Sequence, residues 1–320
     1  MRKGKRLIAW IMAVVMLFTI CVFGGNGTAE AAATTPVAKH GRLSVKGADL
    51  VDSKGNKFQL RGISTHGINW DVGSPYVNKK AFKTLRDDWG VNAIRLAMYT
   101  EEYNGYCSGG SQAKLRKLVD KGVGYATDLG MYAIIDWHIL SDGNPNKNKS
   151  QAKKFFTTMA KKYKNNKNVI YEICNEPNGC SWKEIKSYAT DIIKTIRKYD
   201  KKAVIIVGTP TWSQLGTDGT SNEVADSPIK GYKNIMYSLH FYASEWAHNE
   251  YLPAKVAYAR KKKLPIIVSE FGLSPASGDG AINKASADKW MKLLNKYNIS
   301  YFCWSLSNNC LLYTSDAADE

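Results

Sequence analysis

Eight short apolar runs recur along this chain, most of them followed by a stretch of helical spacing, and this alternation restricts the fold more than any other feature. The runs are FQLRGIS (58–64), VNAIRLAM (91–98), MYAIIDWH (131–138), NVIYEICNE (168–176), AVIIVGT (203–209), NIMYSLHFY (234–242), LPIIVSEFG (264–272) and ISYFCWSLS (299–307). Their apolar character is nearly continuous, as in strands covered on both faces. Segments 78–89, 112–130, 150–164, 181–200, 249–263 and 284–298 carry apolar residues at helical spacing. Eight such units predict an α/β protein, a (β/α)8 TIM barrel, which typically needs about 250 residues. An open doubly wound sheet is the alternative. No Gly-x-Gly-x-x-Gly turn follows the first strand, so dinucleotide binding has no support.

The two ends of the chain read differently. Arg2, Lys3, Lys5 and Arg6 precede an apolar run from Leu7 to Phe23, and small residues follow, closing on AEAAATTP. That succession predicts a secretory signal peptide over residues 1–33, cleaved after Ala31 or Ala33, and a secreted, extracellular protein. An uncleaved anchor is the other reading, although the run falls short of the roughly 20 residues that span a bilayer. Residues 34–41 read as a linker, and 41–58 as a short hairpin with a Gly-rich turn. The barrel unit is expected over 42–309. After Ser307 the chain reads NNCLLYTSDAADE where a barrel needs an outer helix. The last helix is therefore expected to be incomplete, and 310–320 an atypical, non-native tail.

Hydrophobic residues at 44% and charged residues at 23% fit a globular chain. The formal net charge is +17, but the lysines are dispersed through segments such as KKYKNNKN and no nucleic-acid motif accompanies them. A solvated basic surface with weak attraction to an anionic cell wall is expected, with no nucleic-acid partner and no stable membrane association after cleavage. Cys107, Cys174, Cys180, Cys303 and Cys310 show neither a disulfide framework nor a zinc spacing, so no metal is expected. Cys174 and Cys303 lie in apolar runs and read as small core residues.

A barrel carries its chemistry at the carboxyl ends of its strands. His66 and Trp70, Arg95 and Tyr99, Asp136-Trp137-His138, Asn175-Glu176, Trp212, His240-Phe241-Tyr242, Glu270 and Trp304 all stand at or near those ends. Glu176 and Glu270 come from strands four and seven and would face each other across the mouth. Two opposed carboxyl groups, one protonated and one ionised, suit glycosidic bond cleavage. Pro177 biases Glu176 toward extended backbone.

The stretches IIDWHIL, YEICNEPNG, SLHFYA, IIVSEFG and YFCWSLSN resemble glycoside hydrolase family 5, in particular its bacterial secreted endo-β-1,4-glucanases. The resemblance covers roughly residues 40–309. It implies a retaining hydrolase with Glu176 as general acid/base and Glu270 as nucleophile. It implies that Arg95 keeps the nucleophile ionised, that Tyr242 hydrogen-bonds it, and that His240 lies close to the acid/base. His138 and Asn175 would contact sugar beside the scissile bond. His66, Trp70, Tyr99, Trp212, Ala276, Ser277 and Trp304 would line the sugar subsites. No cofactor is implied, the substrate partner would be a β-glucan polysaccharide, and the enzyme would be a monomer. A mannanase or xylanase on the same barrel, or a non-catalytic carbohydrate-binding barrel, are the alternatives. Relatives carry a Lys and an acidic residue where Asn309 and Leu311 stand here.

Other polar and aromatic residues have plainer readings. Glu172 reads as an inward charge or a strand-bottom ion pair, and Asp136 as an orienting neighbour. His248 and Glu245 read as solvated loop residues. Trp89, Trp182 and Trp290 read as core, as does Trp137.

Overall fold

A computed structural model describes residues 35–278 and 280–307. The expectations for a signal peptide at 1–33 and a tail at 310–320 fall on residues outside that range. Residues 34–41, read as a linker, instead contain a short helix, α1 (Pro36–His40), with Pro at its first turn. The hairpin follows as β1 (Ser44–Lys46) and β2 (Asp49–Val51), paired antiparallel.

The eight apolar runs all form strands: β3 (Arg61–Thr65), β4 (Ala93–Tyr99), β5 (Tyr132–His138), β6 (Val169–Glu172), β7 (Ile205–Val207), β8 (Ile235–Tyr242), β9 (Ile266–Gly272) and β10 (Tyr301–Leu306). They pair in parallel and close into a barrel in the order β10-β3-β4-β5-β6-β7-β8-β9. The outer helices are α2 (Lys79–Asp87), α3 (Gln112–Asp128), α4 (Lys149–Tyr163), α5 (Trp182–Arg197), α8 (Trp246–Lys261) and α9 (Lys284–Lys296), with two single turns, α6 (Pro210–Ser213) and α7 (Glu223–Asp226), after β7. Side-chain caps define the starts of α2, α3, α5 and α9. Asn78 accepts from the Ala81 N–H, and Ser181 and Glu184 form a capping box on α5.

Alternation along the strands separates two cores. Ile94, Leu96 and Met98, then Ala133, Ile135 and Trp137, then Val169 and Tyr171 face outward into the layer beneath the helices. Ala93, Ile134, Ile170, Ile206, Met236, Ile267 and Phe302 form a second cluster inside the barrel, closed from below by Leu43 and Leu50 of the hairpin region and by Phe58 and Leu60. Gly62 is required there, since a Cβ would lie 2.1 Å from the Phe302 ring. Trp182, Trp290 and Trp137 are buried as expected, but Trp89 is 71% exposed. The reason is local: α2 ends at Asp87 and Gly90 follows at φ +68°, so the helical spacing does not continue to Trp89. Cys107, Cys174, Cys180 and Cys303 are free thiols.

Candidate active site

Two residues above the apolar floor, the same inward faces turn polar. Ala93 gives way to Arg95, Ile134 to Asp136, Ile170 to Glu172, and Met236 to Ser238 and then His240, all buried. The fully buried Arg95 organises this layer. Its Nε donates to Glu172 Oε2 (2.7 Å), Nη1 to Glu270 Oε2 (2.9 Å), and Nη2 to Asn175 Oδ1 (2.5 Å), with Asp136 Oδ2 at 3.0 Å. A buried guanidinium needs this many acceptors, and its planar fork reaches them without side-chain strain.

Glu270 reaches the mouth through an irregularity. Strict alternation from Ile266 and Val268, which face the helices, would point residue 270 outward as well. The β8–β9 register slips between Ser238↔Ile267 and His240↔Glu270, and this bulge turns Glu270 inward. There Tyr242 Oη donates to its second oxygen at 2.7 Å.

Glu176 lies outside any strand, because β6 ends at Glu172, four residues earlier than the expected run. It is placed by the loop instead: Asn175 N–H donates to Trp137 O (3.2 Å) and Glu176 N–H to Ile139 O (3.3 Å). Among the described residues its carboxyl group meets no Lys or Arg directly. His240 Nδ1 shares a 2.8 Å hydrogen bond with Glu176 Oε1, and His240 Nε2 bonds Ser269 Oγ at 2.9 Å. Burial pushes Glu176 up to about 8 and His240 down to about 4, so near neutrality the pair consists of a protonated acid and a neutral imidazole.

One oxygen of Glu176, one of Glu270 and a ring nitrogen of His240 lie within 4.8 Å of one another, and among the described residues they form a group whose spacing could enclose a cation. Glu270 is already held there by Arg95 and Tyr242, and His240 by Glu176 and Ser269. This donor set therefore works as a hydrogen-bond network.

His138 donates from Nδ1 to Asp136 Oδ2 (2.6 Å), which leaves Nε2 to accept from Asn175 Nδ2 (3.1 Å). Burial holds His138 well below its usual range, hence neutral. Asn175 also donates to Ile139 O (3.2 Å), so both amide hydrogens have protein partners and the side chain is wholly buried. In this state it braces Arg95 and His138 beneath the cavity.

The cavity above measures about 440 Å³ and is lined by Tyr99, His138, Glu176, Trp212, His240, Tyr242, Glu270, Ala276 and Trp304 among the expected residues. Arg95 and Asn175 lie below it. His66 and Trp70 flank it in an aromatic chain: Trp70 contacts Tyr99 (4.6 Å between centroids), His66 contacts Trp304 (5.3 Å), and Trp304 stacks on His138 (5.2 Å). Ser277 is exposed on the loop beside Ala276 and outside the lining. Trp212 stands at the rim, 44% exposed, on a left-handed turn in which Thr211, Trp212 and Ser213 have φ of 56°, 51° and 62°. Trp212 N–H to Pro177 O (3.0 Å) and Ser213 Oγ to Asn175 O (2.7 Å) hold that turn against the loop carrying Glu176.

Four lining residues were not expected: Leu140, Gln214, Glu245 and His248. His248, read as solvated, is corrected here, whereas Glu245 remains partly exposed. His248 is buried and its Nδ1 accepts the Tyr242 N–H (2.9 Å), while Glu245 accepts the Ala276 N–H (2.8 Å). The signal available was position alone, since both residues begin the helix that follows β8.

The chain matches the model of the cellulase family, glycosyl hydrolase family 5, over residues 51–310. Endoglucanase A of Butyrivibrio fibrisolvens is 47% identical over 273 residues, which cover 84% of this chain and 61% of that protein. An endoglucanase of Clostridium saccharobutylicum is 48% identical over 307 residues, covering 94% and 64%. The chain thus spans less than two thirds of the length of these curated relatives. Among solved structures, cellulase Cel5C_n superposes with a TM-score of 0.82 at 39% identity, covering 87% of this chain and 84% of that one. The catalytic domain of a Thermobifida fusca endoglucanase, in complex with cellotetraose, gives 0.77 at 39%, covering 86% and 88%. With the barrel, the paired glutamates and the buried arginine in place, this chain belongs to glycosyl hydrolase family 5.

Proposed function

We propose that this chain is an endo-β-1,4-glucanase that hydrolyses internal bonds of cellulose and related β-glucans with retention of anomeric configuration. The observation that carries this reading is the contrast between two carboxyl groups with oxygens within 4.8 Å of each other. Glu270 accepts hydrogen bonds from a guanidinium and a phenol, which aim its carboxyl group at the cavity, and we assign it the attack on the anomeric carbon. Glu176, largely shielded from solvent beside a neutral imidazole, keeps its proton and delivers it to the leaving oxygen. Close approach favours direct attack over an interposed water, because retaining pairs sit about 5–5.5 Å apart and inverting pairs about 6.5–9.5 Å. The glycosyl ester on Glu270 is then hydrolysed by water that the ionised Glu176 activates. The His66, Trp70, Tyr99 and Trp304 rings offer flat apolar faces beside polar edges, which suits the C–H faces of pyranose rings. The names of the relatives and the cellotetraose bound to a structural neighbour support glucan over mannan or xylan. No helix among the described residues is long and apolar enough to cross a membrane, and the basic, apolar, small-residue succession at residues 1–33 supports export.

Reducing-sugar release from carboxymethyl cellulose, barley β-glucan, xylan and mannan tests the reading, with Glu270→Gln as control. Release from the glucans that vanishes in the variant is expected. Release confined to xylan or mannan would overturn the substrate and keep the mechanism, and no release from a folded protein would favour a binding role.

A further inference from the structure

Beneath the reacting carboxylates the electrostatics do not balance. One guanidinium faces three carboxyl groups: Asp136 at 3.0 Å, Glu172 at 2.7 Å and Glu270 at 2.9 Å. Asp136 and Glu172 have no exposure, and among the described residues Arg95 is the one Lys or Arg paired with them. The groups facing them are His138 on β5, His240 on β8, Glu176 in the loop after β6, and Glu270 on β9. Burial keeps both imidazoles neutral near neutrality. Ionised throughout, Arg95, Asp136, Glu172 and Glu270 would carry two excess negative charges in a dry interior, a costly arrangement.

The geometry supplies a remedy. Asp136 and Glu172 are register partners on adjacent parallel strands. Each binds Arg95 through one oxygen, and each leaves the other, Asp136 Oδ1 and Glu172 Oε1, buried without a hydrogen-bond partner among the described residues. Two carboxylates are both acceptors and cannot satisfy each other; adding one proton turns one of them into a donor. We propose that Asp136 and Glu172 hold a single shared proton through these two oxygens, so that the buried group of four carries one excess negative charge instead of two. Burial raises the proton affinity of both groups, which agrees in direction.

The consequence for catalysis rests on Glu270 acting as nucleophile. When Glu270 is esterified by the sugar its charge is removed, and with the shared proton in place the group of four becomes neutral. When the ester is hydrolysed, Glu270 recovers its charge beside one anion rather than two. Asp136 and Glu172 are thus positioning residues that set how readily Glu270 leaves.

Infrared difference spectroscopy reads the proton without turnover, so it is independent of the activity assigned above. In a Glu176→Gln background, which removes the neighbouring protonated acid, a protonated-carboxyl carbonyl band is expected near neutral pH. That band should disappear on adding either Asp136→Asn or Glu172→Gln, and either double variant alone suffices if the other fails to fold. A spectrum in which neither addition removes a band overturns the proposal. In the otherwise unmodified enzyme, Glu172→Gln should lower kcat by less than about tenfold with an unmoved pH profile, because an amide is neutral and supplies the missing donor. Glu172→Ala should lower it by about a hundredfold or more. Equal losses in Gln and Ala would mean that both charges are needed, and would also overturn it.

Discussion

The lower and upper halves of the barrel interior are built by the same strands only two residues apart, yet their chemistry is opposite. Below, Ala93, Ile134, Ile170, Ile206, Met236, Ile267 and Phe302 fill the space with apolar side chains above the hairpin that closes the bottom. Above, Arg95, Asp136, Glu172, Ser238, His240, Ser269 and Glu270 fill it with groups that need partners. The floor stabilises the fold by burial and close packing. The upper layer costs stability through desolvation and in return holds charges in fixed positions where they act without reorganising. Stability and chemistry are therefore separable along the barrel axis.

The largest test of that separation is removal of Glu270, the proposed nucleophile. Glu270→Gly should abolish hydrolysis while leaving the protein folded, and azide should restore cleavage of an activated β-glucoside with an α-glycosyl azide as product. A β-azide would instead assign the nucleophile elsewhere.

Next in size is Glu176, the proposed acid. Glu176→Gln should lower kcat/KM on polymeric glucan by about 10²–10⁴-fold. In the unmodified enzyme kcat/KM should fall as the pH rises through about 8, where Glu176 loses its proton. The same shift acts on the fold. A carboxyl group whose proton affinity is raised by folding favours the native state below its ordinary value of 4.5, and this contribution is lost as the pH climbs toward about 8. Melting temperatures measured across that window should fall in the parent and fall less in the Gln variant.

The floor should behave the other way. Ile134→Ala should destabilise by about 2–5 kcal/mol in denaturant titrations, with kcat at 25 °C nearly unchanged. A large loss of kcat in the folded variant would show that the two layers are coupled.

The smallest effect is expected at the rim. Thr211 is β-branched at φ 56°, a conformation that costs about 1–2 kcal/mol and that glycine adopts freely. Thr211→Gly should raise stability slightly and raise KM for long glucans by freeing Trp212, without changing the pH profile.

The same contrast decides what could be read from the residues alone. The apolar runs and their helical spacers give all eight strands, since burial on both faces writes itself as continuous apolar sequence. Polar residues at strand ends give the glutamates, Arg95, Tyr242 and most of the aromatic rim. Three features were not legible, each for a physical reason. The bulge that turns Glu270 inward depends on pairing with β8, a relation between distant segments. Glu176 belongs to a loop held by Trp137 and Ile139, although its own sequence reads as strand. His248 looked solvated because its partner is a backbone N–H, which every residue except proline carries.

The seam between β3 and β10 joins the first and last strands of the barrel in chain order. Leu60 N–H donates to Ser300 Oγ at 2.9 Å, Tyr301 N–H donates to Leu60 O at 2.9 Å, and Phe302 fills the space above Gly62. During synthesis the sheet therefore stays open, with two unpaired edges, until residues 301–306 emerge. Closure joins segments about 240 residues apart, a separation that favours a late step and leaves both edges free to pair with other chains in the meantime. The strand that completes the aromatic rim with Trp304 is thus also the one that pairs the two open edges of the sheet.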